Sequence, residues 1–131
     1  MAGARDRFVS KALFAGLIVF AVLHLIMIVL MNQTEPVSVG STFWLQILSL
    51  ILAGYVTGFV AKNDGFNHGA LVGACVPVIL AIGAAIATSN MTAALHIISL
   101  LGVMWVVQSV VCCGLGGFIW DVQSKFRGSA P

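Results

Sequence analysis

Four long apolar runs, separated by short polar stretches, dominate the pattern along this chain. The runs cover about residues 12–31, 42–61, 69–89 and 95–120. Each reaches the length of about 20 residues that an α-helix needs to cross a hydrocarbon core of roughly 30 Å. The strands of a membrane barrel would instead be about 10 residues long and would alternate in polarity. The pattern therefore predicts an all-α membrane protein, with four transmembrane helices forming a single domain over residues 1–131.

The connections between the runs are short. They cover residues 32–41, 62–68 and 90–94, and the second contains Asp64-Gly65, a strong turn signal. Because short loops make sequential helices antiparallel neighbours, we expect an up-down bundle.

The six basic residues predict how this bundle is oriented. They are Arg5, Arg7, Lys11, Lys62, Lys125 and Arg127. With four transmembrane helices, all six fall on the same side of the membrane, and short segments rich in Lys and Arg mark the cytoplasmic side. We therefore predict that the N- and C-termini are both cytoplasmic. Trp44 and Trp120 lie near the ends of their runs, where aromatic side chains anchor helices at the membrane interface.

The composition supports a lipid-covered surface. The chain is 60% hydrophobic and only 8% charged, whereas soluble domains carry roughly 25% charged residues. Its formal net charge is +2, and the basic residues are spread over three short segments. We therefore expect the lipid bilayer to be a partner and nucleic acid not to be one, because nucleic-acid binding needs a clustered basic face.

Many of the 14 glycines lie in the halves of the runs that are nearest the basic residues. Gly54 with Gly58, and Gly69 with Gly73, form two G-x-x-x-G motifs, and a spacing of four places both residues on the same face of a helix. Small residues on such a face let helices approach closely in lipid. The predicted helix-packing residues are Gly16, Gly54, Gly58, Gly69, Gly73, Gly114 and Gly117. We also expect the third helix, which is small along its whole length, to be the one most enclosed by protein.

Polar residues inside membrane spans are the usual place to look for function. Four of them form a candidate polar path: His24, Gln46, Tyr55 and Gln108. No run carries Asp, Glu, Lys or Arg near its middle, which argues against an ion-coupled transporter. His24 and His96 both lie in the half far from the basic residues, and a haem held by two histidines is an alternative interpretation.

The three cysteines, Cys75, Cys112 and Cys113, all lie in apolar runs. No histidine or carboxylate is close to them in the sequence, so we interpret them as packing residues and expect neither a metal site nor a cofactor. No nucleophile has an adjacent base, which argues against an enzyme.

The stretch G-Y-V-T-G-F-V-A-K-N-D-G-F-N-H-G-A-L-V-G (residues 54–73) and the later C-G-L-G-G-F (residues 113–118) carry a family resemblance. They resemble a broad group of small bacterial four-span membrane proteins of unknown function. In that group the third helix begins His-Gly-Ala-Leu-Val-Gly, and the last ends in a Gly-Gly run. The resemblance covers about a quarter of the chain, and it implies a four-helix fold in a bacterial cytoplasmic (inner) membrane and no catalytic residue.

Our leading functional hypothesis is a non-enzymatic membrane protein that works by helix packing. It would be an accessory, assembly or scaffold subunit with a membrane-protein partner, or a self-associating bundle that forms a homo-oligomer. The alternative is a small oligomeric channel or transporter. A haem-carrying redox subunit is the third hypothesis.

Overall fold

The structure, a computed structural model, describes residues 2–33, 39–88 and 91–128. This part of the chain forms four helices: α1 (Ala2–Gln33), α2 (Val39–Ala61), α3 (Gly65–Thr88) and α4 (Met91–Gly128). Each contains a segment that is long and apolar enough to cross a membrane. The prediction of four apolar helices is therefore confirmed.

The helices extend beyond the predicted apolar runs. α1 begins at Ala2 rather than near residue 12, and α4 covers Met91–Gly128 rather than 95–120. At 1.5 Å per residue, the 38 residues of α4 span about 57 Å, well beyond a hydrocarbon core of roughly 30 Å. The predicted and observed boundaries differ because hydropathy marks only the part of a helix that suits lipid. The helical hydrogen bonds continue beyond it into the polar segments.

The turn between α2 and α3 is tighter than the sequence suggests. It consists of Lys62, Asn63 and Asp64, and not of the whole segment 62–68. The Lys62 N–H donates to the Gly58 carbonyl (2.9 Å), and Lys62 has φ 63°, so it ends α2 in the left-handed conformation that commonly caps helices. Asp64 is also left-handed, with φ 54°. Gly65, the glycine of the turn signal, is instead the first residue of α3.

The hairpin of α2 and α3 occupies the middle of the bundle. Both helices pack against each other, against α1 and against α4, whereas α1 and α4 make no packing contact across the described residues. The most extensive contact is the one between α3 and α4. The buried core lies where these helices meet and consists of Phe20, Leu50, Ala53, Val72, Val76 and Cys113.

One end of the bundle carries all of the basic positions. There, α1 begins, α2 ends, α3 begins and α4 ends, because Gly16 lies against Thr57 and Gly58 lies against Trp120. We call it the basic end. The other end, which includes the end of α3 and the start of α4, is called the opposite end.

The expectation that the third helix is the most enclosed is wrong. α2 has 33% of its apolar segment buried, against 28% for α3. Towards the opposite end, the α3 side chains Ile79, Ile82 and Ile86 are exposed, and a Cβ at Gly83 would meet nothing within 4 Å. Small residues permit enclosure only where a neighbouring helix comes close, and for α3 this happens near the basic end.

Candidate functional site

The most extensive contact among the described residues joins α3 to α4 through small residues spaced four apart on both helices. The paired positions, from the basic end inwards, are Gly65 with Gly117, Gly69 with Cys113, and Gly73 with Ser109. We call these six residues the glycine seam. Their order shows that the two helices run antiparallel, and the spacing of four keeps one face of each helix in contact.

Backbone meets backbone along the glycine seam. A Cβ added at Gly65 would lie 2.5 Å from the Gly117 carbonyl oxygen, and one added at Gly73 would lie 2.7 Å from the Cα of Val110. At Gly69 an added Cβ would overlap the carbonyl oxygen of Cys113. Each glycine hydrogen therefore points at a carbonyl oxygen of the facing helix, which is the arrangement of a Cα–H···O contact.

Helix α2 approaches α4 from another side at the same depth. A Cβ at Gly54 would lie 2.8 Å from the Cα of Cys113, and one at Gly116 would lie 2.8 Å from the backbone nitrogen of Tyr55. Gly54 and Gly69 thus both contact the backbone of Cys113, whose side chain is completely buried. Cys113 is consequently the point at which α2, α3 and α4 come together.

The other glycines of the predicted packing set also lie at helix contacts. A Cβ at Gly58 would lie 3.1 Å from the Trp120 side chain, and one at Gly114 would lie 3.0 Å from the Phe66 ring.

Gly16 on α1 lies against Thr57, whose hydroxyl donates to the Ala53 carbonyl of its own helix (2.7 Å). The Thr57 hydroxyl already has a hydrogen-bond acceptor in its own helix. It can therefore be buried beneath α1 without leaving a polar group unpaired.

Asp121 ties the end of α4 to the beginning of α3. Its Oδ1 accepts from the Gly65 N–H (3.0 Å) and its Oδ2 from the Phe66 N–H (3.3 Å). The first N–H groups of a helix have no partner within the helix, and its N-terminus favours negative charge. A carboxylate from α4 therefore caps α3, a role that side chains next to the helix start usually take.

The sequence interpretation missed Asp121, although a signal for it exists. Asp121 lies four residues after Gly117, so it continues the spacing of Ser109, Cys113 and Gly117 on the same face of α4. Asp121 therefore lies one turn beyond the glycine seam, at the basic end, and faces the first turn of α3.

Aromatic side chains pack between α2 and α4 next to Asp121. Trp120 makes edge contacts with Tyr55 and Phe59, with ring centroids 5.7 Å and 4.9 Å apart. The Tyr55 hydroxyl donates to Oε1 of Gln123 (2.6 Å). The indole Nε1 of Trp120 is buried and has no hydrogen-bond partner among the described residues.

The candidate polar path is distributed over separate parts of the bundle. Tyr55 pairs with Gln123 at the basic end. Gln46 lies nine residues earlier on α2, which is about 14 Å along the helix axis. Nine residues make two and a half turns, so Gln46 is on the other face of the helix. Gln108 is half-buried and precedes Ser109 of the glycine seam. His24 stacks on Phe20 of its own helix, with ring centroids 5.4 Å apart.

The thiols considered for metal binding form no metal site among the described residues. Cys75 and Cys112 are half-buried free thiols, and the part of the chain that the structure describes holds no group of three His, Cys, Asp or Glu side chains that could bind a metal ion. The His96 side chain lies outside the described residues.

We predict that the cost of adding one methyl group to α3 depends on whether the position lies in the glycine seam. Gly73→Ala should destabilise the protein by about 1–3 kcal/mol, the usual cost of overpacking, because its Cβ would collide with Ser109 and Val110. Gly83→Ala, the matched control on the same helix, meets open space and should be neutral or stabilising by about 0.5–1 kcal/mol. Unfolding in detergent would compare them, and equal stability of the two variants would contradict the role of the seam.

We also predict that Asp121→Ala destabilises the first turn of α3, because two N–H groups lose their acceptor. The cost of losing a helix cap is about 0.5–2 kcal/mol. The amide hydrogens of Gly65 and Phe66 should exchange faster with solvent in Asp121→Ala, whereas Asp121→Asn keeps an acceptor oxygen and should retain part of the protection. Unchanged exchange at both amides in Asp121→Ala would show that the cap is not formed.

No protein-family model, curated protein or solved structure matches this chain.

Proposed function

We propose that this chain is a non-enzymatic integral membrane protein that acts through helix packing. It serves as an accessory, assembly or scaffold subunit of a membrane complex, or as a self-associating bundle. The observation that carries this proposal is the contrast between two described parts of the bundle, the glycine seam and a segment near the middle of α4. Backbones touch along the glycine seam, whereas α4 is exposed over residues 103–107 towards the opposite end.

The exposed segment of α4 extends around the whole helix. The exposed fractions fall between 37% at Trp105 and 77% at Val103 and Met104. Five consecutive residues exceed one helical turn of 3.6 residues, so no face of α4 is covered fully at this depth. This apolar length is available to lipid or to a helix of another subunit.

The polar side chains near the glycine seam support a structural role. Asp121 caps α3, Thr57 donates to its own helix beneath α1, and Tyr55 pairs with Gln123. The hydrogen bonds of Asp121 and Tyr55 join two helices, and that of Thr57 satisfies its hydroxyl where α1 covers it. A catalytic site needs a nucleophile or base that faces a substrate, and these groups instead face neighbouring helices.

Association of helices in lipid depends on close packing and not on a hydrophobic driving force. Gly83 on α3 has open space beside it, and the exposed length of α4 lies on the flank of the bundle. Together they offer another helix a backbone that it can approach closely and an apolar surface that it can cover. The proposed subunit would therefore assemble through residues 103–107 of α4 and the α3 surface at Gly83, while the glycine seam keeps its own helices in place.

The proposal includes an orientation, with the basic end and both termini in the cytoplasm, and the positive-inside rule supports it. The resemblance to small bacterial four-span proteins supports the bacterial cytoplasmic membrane as the location.

Single cysteines placed at Lys62 and Lys125, in a variant with Ala at the three native cysteines, should react only after the membrane is permeabilised. Cysteines at Glu35 and Asn90, which lie outside the described residues, should react in intact cells. Labelling of Lys62→Cys from outside would overturn the orientation.

Photo-crosslinking in native membranes tests the proposed assembly. A photoreactive residue at Met104 should give a discrete adduct, because this position is 77% exposed on the open segment of α4. Its mass would show a second copy of the chain or one defined partner. A photoreactive residue at Val22, an exposed α1 position on the other flank, is the matched control and should give mainly lipid adducts.

Other outcomes would favour the other functional classes. If neither Met104 nor its neighbours in 103–107 give a discrete protein adduct, assembly through this segment is excluded. Solute flux into liposomes that contain only the purified chain would support a channel or transporter. A Soret band in the purified protein would support a haem-carrying subunit.

A further inference from the structure

The charges of the chain are concentrated at the basic end. It holds all six basic residues and three of the four acidic ones, a net charge of +3. The acidic residues there are Asp6, Asp64 and Asp121. Asp121 is already hydrogen-bonded to the first turn of α3, and Glu35 is the only charged residue in the rest of the sequence.

Helix α4 continues past the level at which the other central helices begin or end. Asp121 contacts Gly65 at the start of α3, and Trp120 contacts Gly58 one turn before α2 ends. The final segment, residues 121–128, starts at this level and continues for seven residues beyond Asp121, or about 10 Å. Its polar composition begins abruptly at Asp121, after the apolar stretch that ends in Trp120. The segment therefore emerges from the apolar span into the headgroup layer.

Within this segment, an aromatic residue lies between two basic residues in the sequence, and the three side chains project about 100° apart around the helix. Lys125 and Arg127 are exposed, and Phe126 is exposed to 75%. A phenylalanine in this position is unfavourable in water. It becomes favourable where the headgroups meet the acyl chains, and helices that lie at this boundary combine Lys or Arg with Phe, Trp or Leu.

The two basic residues follow the apolar stretch of α4 closely enough for their side chains to reach a bordering headgroup layer. Arg127 lies six residues past Asp121, or about 9 Å along the helix. The headgroup region adds roughly 5–8 Å on each side of the hydrocarbon core, so the long Arg127 side chain can reach back to the phosphates. The arginine guanidinium can donate two parallel hydrogen bonds to a phosphate, and a lysine can approach it as a point charge.

We propose that the basic end binds anionic phospholipid headgroups of the surrounding bilayer through the last turn of α4. Lys125 and Arg127, which lie about 200° apart around the helix, contact phosphates of different lipids, and Phe126 enters the region below the phosphates. The other basic residues of this end add to the attraction. The inference rests on the membrane-spanning position in the proposed function, but it is independent of which side of the membrane the basic end faces and of any partner subunit.

Native mass spectrometry of the full chain tests this inference. The purified protein would be offered equal amounts of phosphatidylglycerol and phosphatidylcholine with the same acyl chains. The wild type should retain phosphatidylglycerol preferentially. Each basic residue near a membrane surface contributes an attraction that corresponds to about a five-fold change in binding, so Lys125→Gln with Arg127→Gln should lower the preference by about thirty-fold.

Two further variants separate charge from fold. Lys125→Arg with Arg127→Lys keeps both charges and should keep the preference, and Phe126→Ser should lower retention of both lipids alike. Equal retention of the two lipids by the wild type would overturn the proposal and would leave an acidic protein surface as the partner for this end. An unchanged preference in the Gln variant, or an equal loss in the charge-conserving variant, would also overturn it. Lipid retention is measured on the purified chain, whereas crosslinking tests assembly in native membranes. A negative result in one experiment can therefore be told apart from a negative result in the other.

Discussion

Contact between helix backbones at Cys113 is the constraint on which the rest of this bundle depends. In lipid, apolar side chains gain nothing by leaving the solvent for each other, so helices associate only where they pack closely. Here Gly54 of α2 and Gly69 of α3 both reach the backbone of Cys113, which fixes three helices at one depth. The hairpin turn of only three residues then places α3 next to α2 in the register that both contacts require.

Several other features follow from this close approach. Gly65 is a glycine because the carbonyl oxygen of Gly117 occupies the space of a side chain, and the left-handed positions of the turn are taken by Lys62 and Asp64. Helix α4 can supply a cap to α3 only because the two backbones touch at that level. Among the described residues, packing is tight near the basic end and looser at Gly83 and residues 103–107 for the same reason, since the close contacts there stop before Gly83.

The four helices could be predicted from the sequence because bilayer thickness sets a minimum apolar length. The small-residue motifs at residues 54–58 and 69–73 were visible too, since their spacing of four is local. The role of Gly65 was misread because Asp-Gly ordinarily marks a turn, and nothing in the local sequence shows that another helix lies against that residue. The enclosure of α3 was overestimated, because small side chains show where a helix can approach and not whether one does.

The same distinction between local and tertiary information applies to the candidate site. Asp121 looks like an ordinary interfacial acid until α3 is placed beside α4, although its spacing from Gly117 gave a usable signal. Of the proposed polar path, the sequence could give the residues, and the nine-residue spacing of Gln46 and Tyr55 already placed them on opposite faces of α2, but it could not give their partners. Tyr55, for example, points to Gln123 at the basic end and lies on the opposite face of α2 from Gln46. The positions that carry the proposed function are consequently defined by packing, namely the glycine seam and the exposed segment 103–107.

The most direct test of this account is the distance between the backbones of α3 and α4. NMR spectra of the full chain in lipid nanodiscs would show whether the α-hydrogens of Gly69 and Gly114, and those of Gly73 and Val110, are in contact. The account predicts strong cross-peaks for both pairs, because a Cβ at Gly73 would lie 2.7 Å from the Cα of Val110 and one at Gly69 would lie 3.4 Å from that of Gly114. Side-chain contacts between α3 and α4 without either α-hydrogen cross-peak would place the helices at the ordinary separation of about 8–10 Å and would contradict it.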